Sequence, residues 1–532
     1  MGKLWYGGKI YTMRQEGEVV EAVYTDNGRV IDLGTKSYLE KAYANQIDDE
    51  HDLDGQVMYP GFIDSHLHII GHGERILRLD LTYIKSPEEL LRAVKDATQK
   101  LSPGEWLIGE GFNENQWENP RIIHRNELDE ACAEHPVMLT RVCRHAIIAN
   151  TKAMNEAGIT NDVEAPSGGV IDKDEKGEMT GFFLDNAQDL IKNHVPEVSI
   201  SYLEKAVTVA IQDLVQHGIV SGHSEDLNYY GGFERTYEAF ARSIDGVNLK
   251  FRAHLLVHNE VIEDMDKSGH QFKNGSDWLE LGAMKIFADG AFGGRTAWLK
   301  EPYADASDQY GVQINSIDHM KKLMVKARSR SMPVAVHAIG DQAAEMVLNM
   351  IEQYPPAEGV RDRLIHAQLV NPNLINRMRK LSSLAVDIQP TFVASDFPWV
   401  LERIGEERQH LAYAWKSLMD AGIVCAGGSD APIEEIDPIK GIAAAVNRTS
   451  YLDGKTYGEA QCLSPYEAVS LYTTGAAYAS GNEEKQGQIA PGFYADFTVL
   501  DQDLFDIPKE NIIKTNVMKT IVDEEIVYVK ND

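Results

Sequence analysis

The sequence predicts an α/β protein whose centre is a (β/α)₈ barrel (TIM barrel), and three observations support this fold class. The chain has 532 residues, well above the roughly 250 that one such barrel needs. Its middle alternates short apolar runs with helical patterns, which is typical of parallel βαβ units. Both ends are instead rich in short strand-like segments and turns, and we expect them to form one small β-sandwich domain.

Eight apolar runs in the middle of the chain are interpreted as the barrel strands. Each is a short apolar run of the kind that forms a strand buried on both faces. The runs cover residues 60–66, 218–224, 250–257, 283–289, 333–339, 363–369, 384–390 and 422–430. Helical patterns separate most of them, and the clearest is predicted over 202–217.

The predicted domains follow from these segments. Residues 1–58 and 487–532 form the β-sandwich domain, and residues 59–486 form the barrel domain. The connection after the first strand, residues 72–200, is far too long for a loop. We expect an inserted subdomain there, roofing the active site, because it starts at the carboxyl end of a barrel strand.

Composition excludes several classes of partner. Against 51 Lys and Arg stand 82 Asp and Glu, a net charge of −31, which repels nucleic acid and anionic membrane surfaces. No run approaches the roughly 18 apolar residues of a membrane-spanning helix. Four cysteines at irregular spacing (Cys132, Cys143, Cys425 and Cys462) are expected to be reduced, as in a cytoplasmic protein.

Histidine and aspartate side chains end several of the predicted strands. His66 is the last residue of the first predicted strand and His68 lies two residues further on, so their rings point to the same side. His337, His366 and Asp430 each close a later apolar run. Because the carboxyl ends of the barrel strands meet at one face, these residues predict a metal site with nitrogen and oxygen ligands.

Lys285 lies in the middle of the fourth predicted strand, surrounded by apolar residues. A buried lysine is costly unless it is neutralised or paired. Its stem either crosses the core to reach solvent, or burial lowers its pKa and leaves a nucleophilic amine. Such an amine can add CO₂ and become a carbamate that bridges two metal ions.

The order of these residues resembles the amidohydrolase superfamily in its binuclear form. The segments VMYPGFIDSHLH and GQIAPGFYADFTVLD are similar to its entry and return strands. Four more segments resemble the YtcJ-like (amidohydrolase 3) branch, which includes N-substituted formamide deformylases: MKIFADGAFGGRTA, VHAIGDQA, RLIHAQLV and GGSDAP. Together these motifs cover nearly the whole chain.

The resemblance implies a ligand set and a mechanism. Two divalent ions, expected to be Zn²⁺, would be bridged by carbamylated Lys285. His66, His68 and Asp430 would hold one ion, and His337 and His366 the other. A metal-bridging hydroxide would attack a carbonyl, with Asp430 as the catalytic proton acceptor and donor.

Substrate contacts are predicted from local sequence only. His145 resembles a position of this branch that faces the substrate, although a structural histidine is an alternative. Asp289 and Arg295 follow the fourth strand, where a substrate-contacting loop or an ordinary surface loop would lie.

The predicted activity is hydrolysis of a non-peptide C–N bond in a small-molecule amide or formamide. A heterocycle deaminase, a lactonase or esterase on the same centre, and a non-catalytic scaffold are alternatives. A homodimer is expected from the resemblance.

Overall fold

A computed structural model describes residues 2–99, 101–142, 145–166, 168–196 and 198–531. They form two compact units. The first unit contains the chain up to Gly71 and from Ala210 onward, and the second is His72–Val209. The second unit is therefore an insertion within the first.

Five strands precede the barrel. They are β1 (Gly2–Tyr11), β2 (Val19–Asp26), β3 (Arg29–Gly34), β4 (Ile47–Asp52) and β5 (Val57–Pro60). The turn between β2 and β3 is Asn27-Gly28, and both residues have positive φ, 52° and 72°. Asn-Gly adopts this conformation readily, and it matches the twist of a two-residue hairpin.

The first barrel strand is β6 (Phe62–Leu67), and the second unit follows it. This unit contains one six-stranded sheet in the order β11-β12-β10-β9-β8-β7, with apolar clusters at its core. Its strands are β7 (Leu79–Asp80), β8 (Leu107–Phe112), β9 (Val137–Arg141), β10 (Ala146–Ala149), β11 (Gly169–Lys173) and β12 (Met179–Asp185). That this insertion roofs the active site stays a prediction.

Seven further parallel strands complete the barrel. They are β13 (Ile219–Ser224), β14 (Arg252–His258), β15 (Leu279–Phe287), β16 (Val334–Ala338), β17 (Asp362–His366), β18 (Leu384–Ile388) and β19 (Val424–Gly427). Each strand pairs with the next along the chain, from β6 through β13 to β19. Every one of the eight predicted runs overlaps one of these strands, so the predicted barrel is confirmed.

The helices lie between the strands, as βαβ connections require. The predicted helix over 202–217 is observed at Ile200–Gln216, with Leu203, Ala206 and Val207 buried. In chain order the helices are α1 (Lys36–Ala42), α2 (Ile69–Leu77), α3 (Pro87–Thr98), α4 (Arg125–Ala131), α5 (Thr151–Glu156), α6 (Asp189–Lys192), α7 (Ile200–Gln216), α8 (Phe233–Ser243), α9 (Ile262–Lys267), α10 (Ile317–Arg328), α11 (Asp341–Gln353), α12 (Pro372–Met378), α13 (Thr391–Asp396), α14 (Trp399–Ile404), α15 (Trp415–Asp420), α16 (Pro438–Asn447), α17 (Pro465–Ser470) and α18 (Ala476–Ser480).

The carboxyl-terminal strands return to the amino-terminal ones. They are β20 (Phe497–Leu500), β21 (Val517–Val522) and β22 (Glu525–Val529). Because β20 pairs with β5, both ends of the chain share one eight-stranded sheet in the order β22-β21-β20-β5-β1-β2-β3, with β4 beside β1. The joint sheet is observed, whereas its folding as a β-sandwich stays a prediction.

Two further properties concern the chain as a whole. Within the described residues, no helix has the length and apolarity needed to cross a membrane. Cys132, Cys425 and Cys462 are free thiols, and Cys143 lies outside the described residues.

Candidate metal centre

The barrel brings the predicted ligands together at the carboxyl ends of its strands. The four histidine rings form a continuous series, measured between ring centroids. His66 lies 5.8 Å from His68 and 5.7 Å from His366, and His366 lies 4.4 Å from His337. Asp430 joins this group from the segment after β19. Residues distant in sequence thus share one small volume, as the strand-end placement predicted.

The seam of the barrel positions Asp430. Its N–H donates to the carbonyl of His66 at 2.7 Å, and the N–H of His68 donates to the carbonyl of Ala431 at 2.8 Å. A Cβ atom on Gly428 would lie 2.6 Å from the nitrogen of His66, so only glycine permits this approach. The buried carboxylate of Asp64 accepts hydrogen bonds from the N–H groups of both His66 and Ser429.

Two of the predicted ligands adopt unusual backbone conformations. The φ angles of His366 and Asp430 are 78° and 57°, in the left-handed region that non-glycine residues seldom occupy. Such strain persists only where the surrounding structure fixes it, and it concentrates at functional sites. Here it turns each side chain toward the shared volume at a strand end.

The distances around Asp430 fit a tetrahedral metal ion. Oδ1 of Asp430 lies 3.5 Å from Nε2 of His66 and 3.5 Å from Nε2 of His68. Zinc–ligand bonds of about 2.1 Å place tetrahedral ligand atoms about 3.4 Å apart. One ligand atom from each of His66, His366 and Asp430 also lies within 4.8 Å of the others. The chemistry and the spacing of these donors therefore suit a divalent cation.

Hydrogen bonds to the outer ring nitrogens set which nitrogen faces the centre. Nδ1 of His366 donates to Oε1 of Gln389 at 2.7 Å, which leaves Nε2 as its lone-pair nitrogen. Nε2 of His337 donates to the carbonyl of Gly290 at 3.1 Å, which leaves Nδ1. Such outer partners hold a neutral imidazole in the tautomer and orientation that a metal requires.

Lys285 is buried in β15 beside this group. Its side chain is only 1% exposed, so its stem does not carry the amine to solvent. Nζ lies 3.8 Å from Oε2 of Glu225 and 4.4 Å from the ring centroid of Phe287. Burial lowers its pKa, and this favours the neutral amine that can react with CO₂.

The electrostatics of the cluster keep most of its histidines neutral. Burial, reinforced by the neighbouring basic groups Lys285 and His366, holds the pKa of His66 and His337 well below the usual range. Burial also acts to raise the pKa of Asp430, but the nearby basic groups, His68 first, outweigh it, so that pKa is lowered. For His68 burial opposes protonation, yet Asp430 raises its pKa to about 9.

The predicted substrate contacts lie in three different settings. Asp289 is buried, and its carboxylate accepts from the N–H groups of Trp298, Ile339 and Gly340 at 2.8–3.0 Å. Arg295 forms a bidentate pair with Asp305. His145 belongs to the second unit. Their roles in substrate binding stay predictions.

Three residues beside the ligands did not stand out in the sequence. Glu225 and Gln389 each directly follow a barrel strand, and Tyr229 lies four residues after Glu225. The signal that could have found them is a polar side chain just after a buried strand. A single Glu or Gln there matches no metal-ligand spacing, so the sequence pattern did not predict these residues.

Comparison with known proteins shows sequence similarity over the full length of the chain. The model of the amidohydrolase family matches residues 49–528. The "Putative amidohydrolase YtcJ" of Bacillus subtilis (strain 168) is 48% identical over 533 residues, covering all of both chains. The N-substituted formamide deformylase of Arthrobacter pascens is 25% identical, with 98% of this chain and 97% of that protein aligned.

A solved structure with the same architecture is an uncharacterized metal-dependent hydrolase from Pyrococcus horikoshii OT3. It superposes with a TM-score of 0.80 at 28% identity. The alignment covers 96% of this chain and 99% of that one.

Proposed function

Since the chain belongs to the amidohydrolase family, we propose that it is a metal-dependent hydrolase of a non-peptide C–N bond. The substrate class is a small-molecule amide or formamide. The N-substituted formamide deformylase supports this class as a full-length relative. A homodimer and a cytoplasmic location stay predictions.

The observation that carries the proposal is the convergence of donors on Asp430. Two imidazole nitrogens lie at 3.5 Å from one carboxylate oxygen, and two further histidines follow in the same ring series. A hydrogen-bonded core histidine needs one partner, not a shared oxygen at this distance. We propose two ions, zinc by preference, held by His66, His68, Lys285, His337, His366 and Asp430.

Bound divalent ions would supply hydroxide from water at neutral pH and polarise the substrate carbonyl. The chain's own residues hold the metal ions and transfer protons. The histidines would offer lone pairs to the ions, and Lys285 would add an anionic ligand once its amine has bonded to CO₂ and released a proton. Asp430 is at the centre of the donor set, where its carboxylate can accept a proton and deliver it to the leaving nitrogen.

Metal analysis followed by a substrate screen tests this proposal. The purified protein is loaded with zinc and bicarbonate, and its metal content is measured by mass spectrometry. We expect two equivalents and turnover of at least one N-formyl, N-acyl or cyclic amide. Less than about half an equivalent, with no rescue by added metal, would refute the metal centre. Turnover of lactones alone would show that the bond hydrolysed is a C–O bond and not a C–N bond.

A further inference from the structure

We propose that Glu225 is a positioning residue of the metal centre, which orients two proposed ligands, His68 and Lys285, through two different groups. Its main-chain carbonyl accepts a hydrogen bond from His68, and its carboxylate lies 3.8 Å from the amine of Lys285. This inference rests on the proposed function, because both partners are proposed ligands there.

The backbone locks Glu225 beside the first barrel strand. It directly follows β13, and its N–H donates to the carbonyl of Leu67 at 3.0 Å. Its side chain has no exposed surface. A glutamate in this position cannot relax toward solvent, so its charge must be compensated by nearby groups.

The carbonyl of Glu225 sets the tautomer of His68. Nδ1 of His68 donates to this carbonyl at 2.6 Å. Binding of a metal ion requires the neutral ring, and in that ring the other nitrogen, Nε2, carries the lone pair. That nitrogen is the one that lies 3.5 Å from Asp430, so the hydrogen bond aims the lone pair into the proposed site.

The carboxylate of Glu225 faces two proposed ligands at once. Oε2 lies 3.8 Å from Nζ of Lys285 and 4.0 Å from Nδ1 of His68, and it accepts from the hydroxyl of Tyr229 at 2.7 Å. Oε1 is buried and has no hydrogen-bond partner among the described residues. A carboxylate that merely stabilised the fold would be expected to use both oxygens.

Glu225→Gln is the direct test, because it keeps the size of the side chain and removes its charge. Loss of an outer partner commonly weakens metal binding about 10–100-fold, and we expect zinc affinity in chelator competition to fall by this factor. The matched control is Glu280→Gln. Glu280 is bonded to His254 and Lys273 and contacts none of the proposed ligands. Its substitution should change zinc affinity by no more than about twofold.

Two measurements separate positioning from simple loss of stability. Cobalt replaces zinc, and its visible spectrum reports ligand geometry; we expect Glu225→Gln to shift this spectrum and Glu280→Gln to leave it unchanged. Tyr229→Phe removes one hydrogen bond from the carboxylate and decides the matter if Glu225→Gln does not fold. We expect it to weaken zinc binding severalfold and to shift the same bands.

The outcomes distinguish this inference from the function on which it rests. If the unaltered protein binds no metal, the proposed function fails. If it binds metal, and Glu225→Gln or, in its place, Tyr229→Phe binds zinc equally tightly with the same cobalt spectrum, the positioning role of the Glu225 carboxylate is refuted while the proposed function stands.

Discussion

Two groups of buried histidines occupy the same barrel, and their partners differ. In one group His66 and His68 share a single oxygen of Asp430 at equal distances of 3.5 Å. In the other, Nδ1 of His254 donates to Oε1 of Glu280 at 2.9 Å, and Nζ of Lys273 donates to the same oxygen, also at 2.9 Å. The first arrangement leaves room for a cation between its donors, whereas the second is a completed network of hydrogen bonds and charges.

The comparison teaches that burial alone does not identify a ligand. His66, His254 and His366 are at least nine-tenths buried, whereas His68 and His337 are somewhat more exposed. The distinguishing property is the distance to the acid. The donor and acceptor atoms of a hydrogen bond lie about 2.9 Å apart, whereas two ligand atoms bound to one metal ion lie about 3.4 Å apart.

The largest expected effect is that of Asp430→Asn. The amide cannot accept the proton, and general acid–base catalysis commonly contributes about 10²–10⁴-fold. We expect kcat/KM to fall by this factor on the amide identified in the screen. Asp266→Asn, which removes a surface acid that pairs with Arg330, is the control. A residual rate within about tenfold would contradict the assigned role.

Replacement of one histidine in each group sharpens the contrast next. His366→Ala should weaken zinc binding by more than about 100-fold, since it removes a ligand rather than an outer partner. His254→Ala should leave metal content unchanged and lower the free energy of unfolding by about 1–3 kcal/mol, because Glu280 loses a hydrogen bond. Chelator competition and urea unfolding measure the two effects. Equal metal loss in both variants would erase the distinction.

Asp289→Asn tests an acid that lies next to the centre but is fully bonded. Its carboxylate accepts three backbone N–H groups, and the Asn oxygen can keep only part of them. We expect about 1–3 kcal/mol less stability with both metals retained. A marked loss of metal would show that Asp289 supports the metal centre and contradict this expectation.

The smallest effect is expected for Arg295→Ala. Arg295 is partly exposed and paired with Asp305, and such pairs contribute about 0–1 kcal/mol. The midpoint temperature of thermal unfolding should therefore change very little. The KM for the substrate is the informative quantity, because a contact with substrate predicts its rise. An unchanged KM would contradict the predicted contact.

The strand-end ligands could be predicted because each closes an apolar run, and a parallel barrel collects such ends on one face. Asp64 and Gly428 could not be assigned in this way. Their roles depend on the seam between β6 and the segment after β19, which only closure of the barrel creates. Gln389 and Glu225 were missed for a related reason, since they act through His366, His68 and Lys285 and carry no spacing of their own.

Metal content and carbamate content, measured together in the unaltered protein and in Lys285→Ala, test the binuclear centre most directly. Both proteins are loaded with zinc and ¹³C-bicarbonate. We expect two zinc ions and a carbamate ¹³C signal in the unaltered protein. In Lys285→Ala we expect at most one ion, no signal and a low rate that a short carboxylic acid partly restores. Equal metal content and equal rates in the two proteins would contradict the bridge and reduce Lys285 to a structural residue.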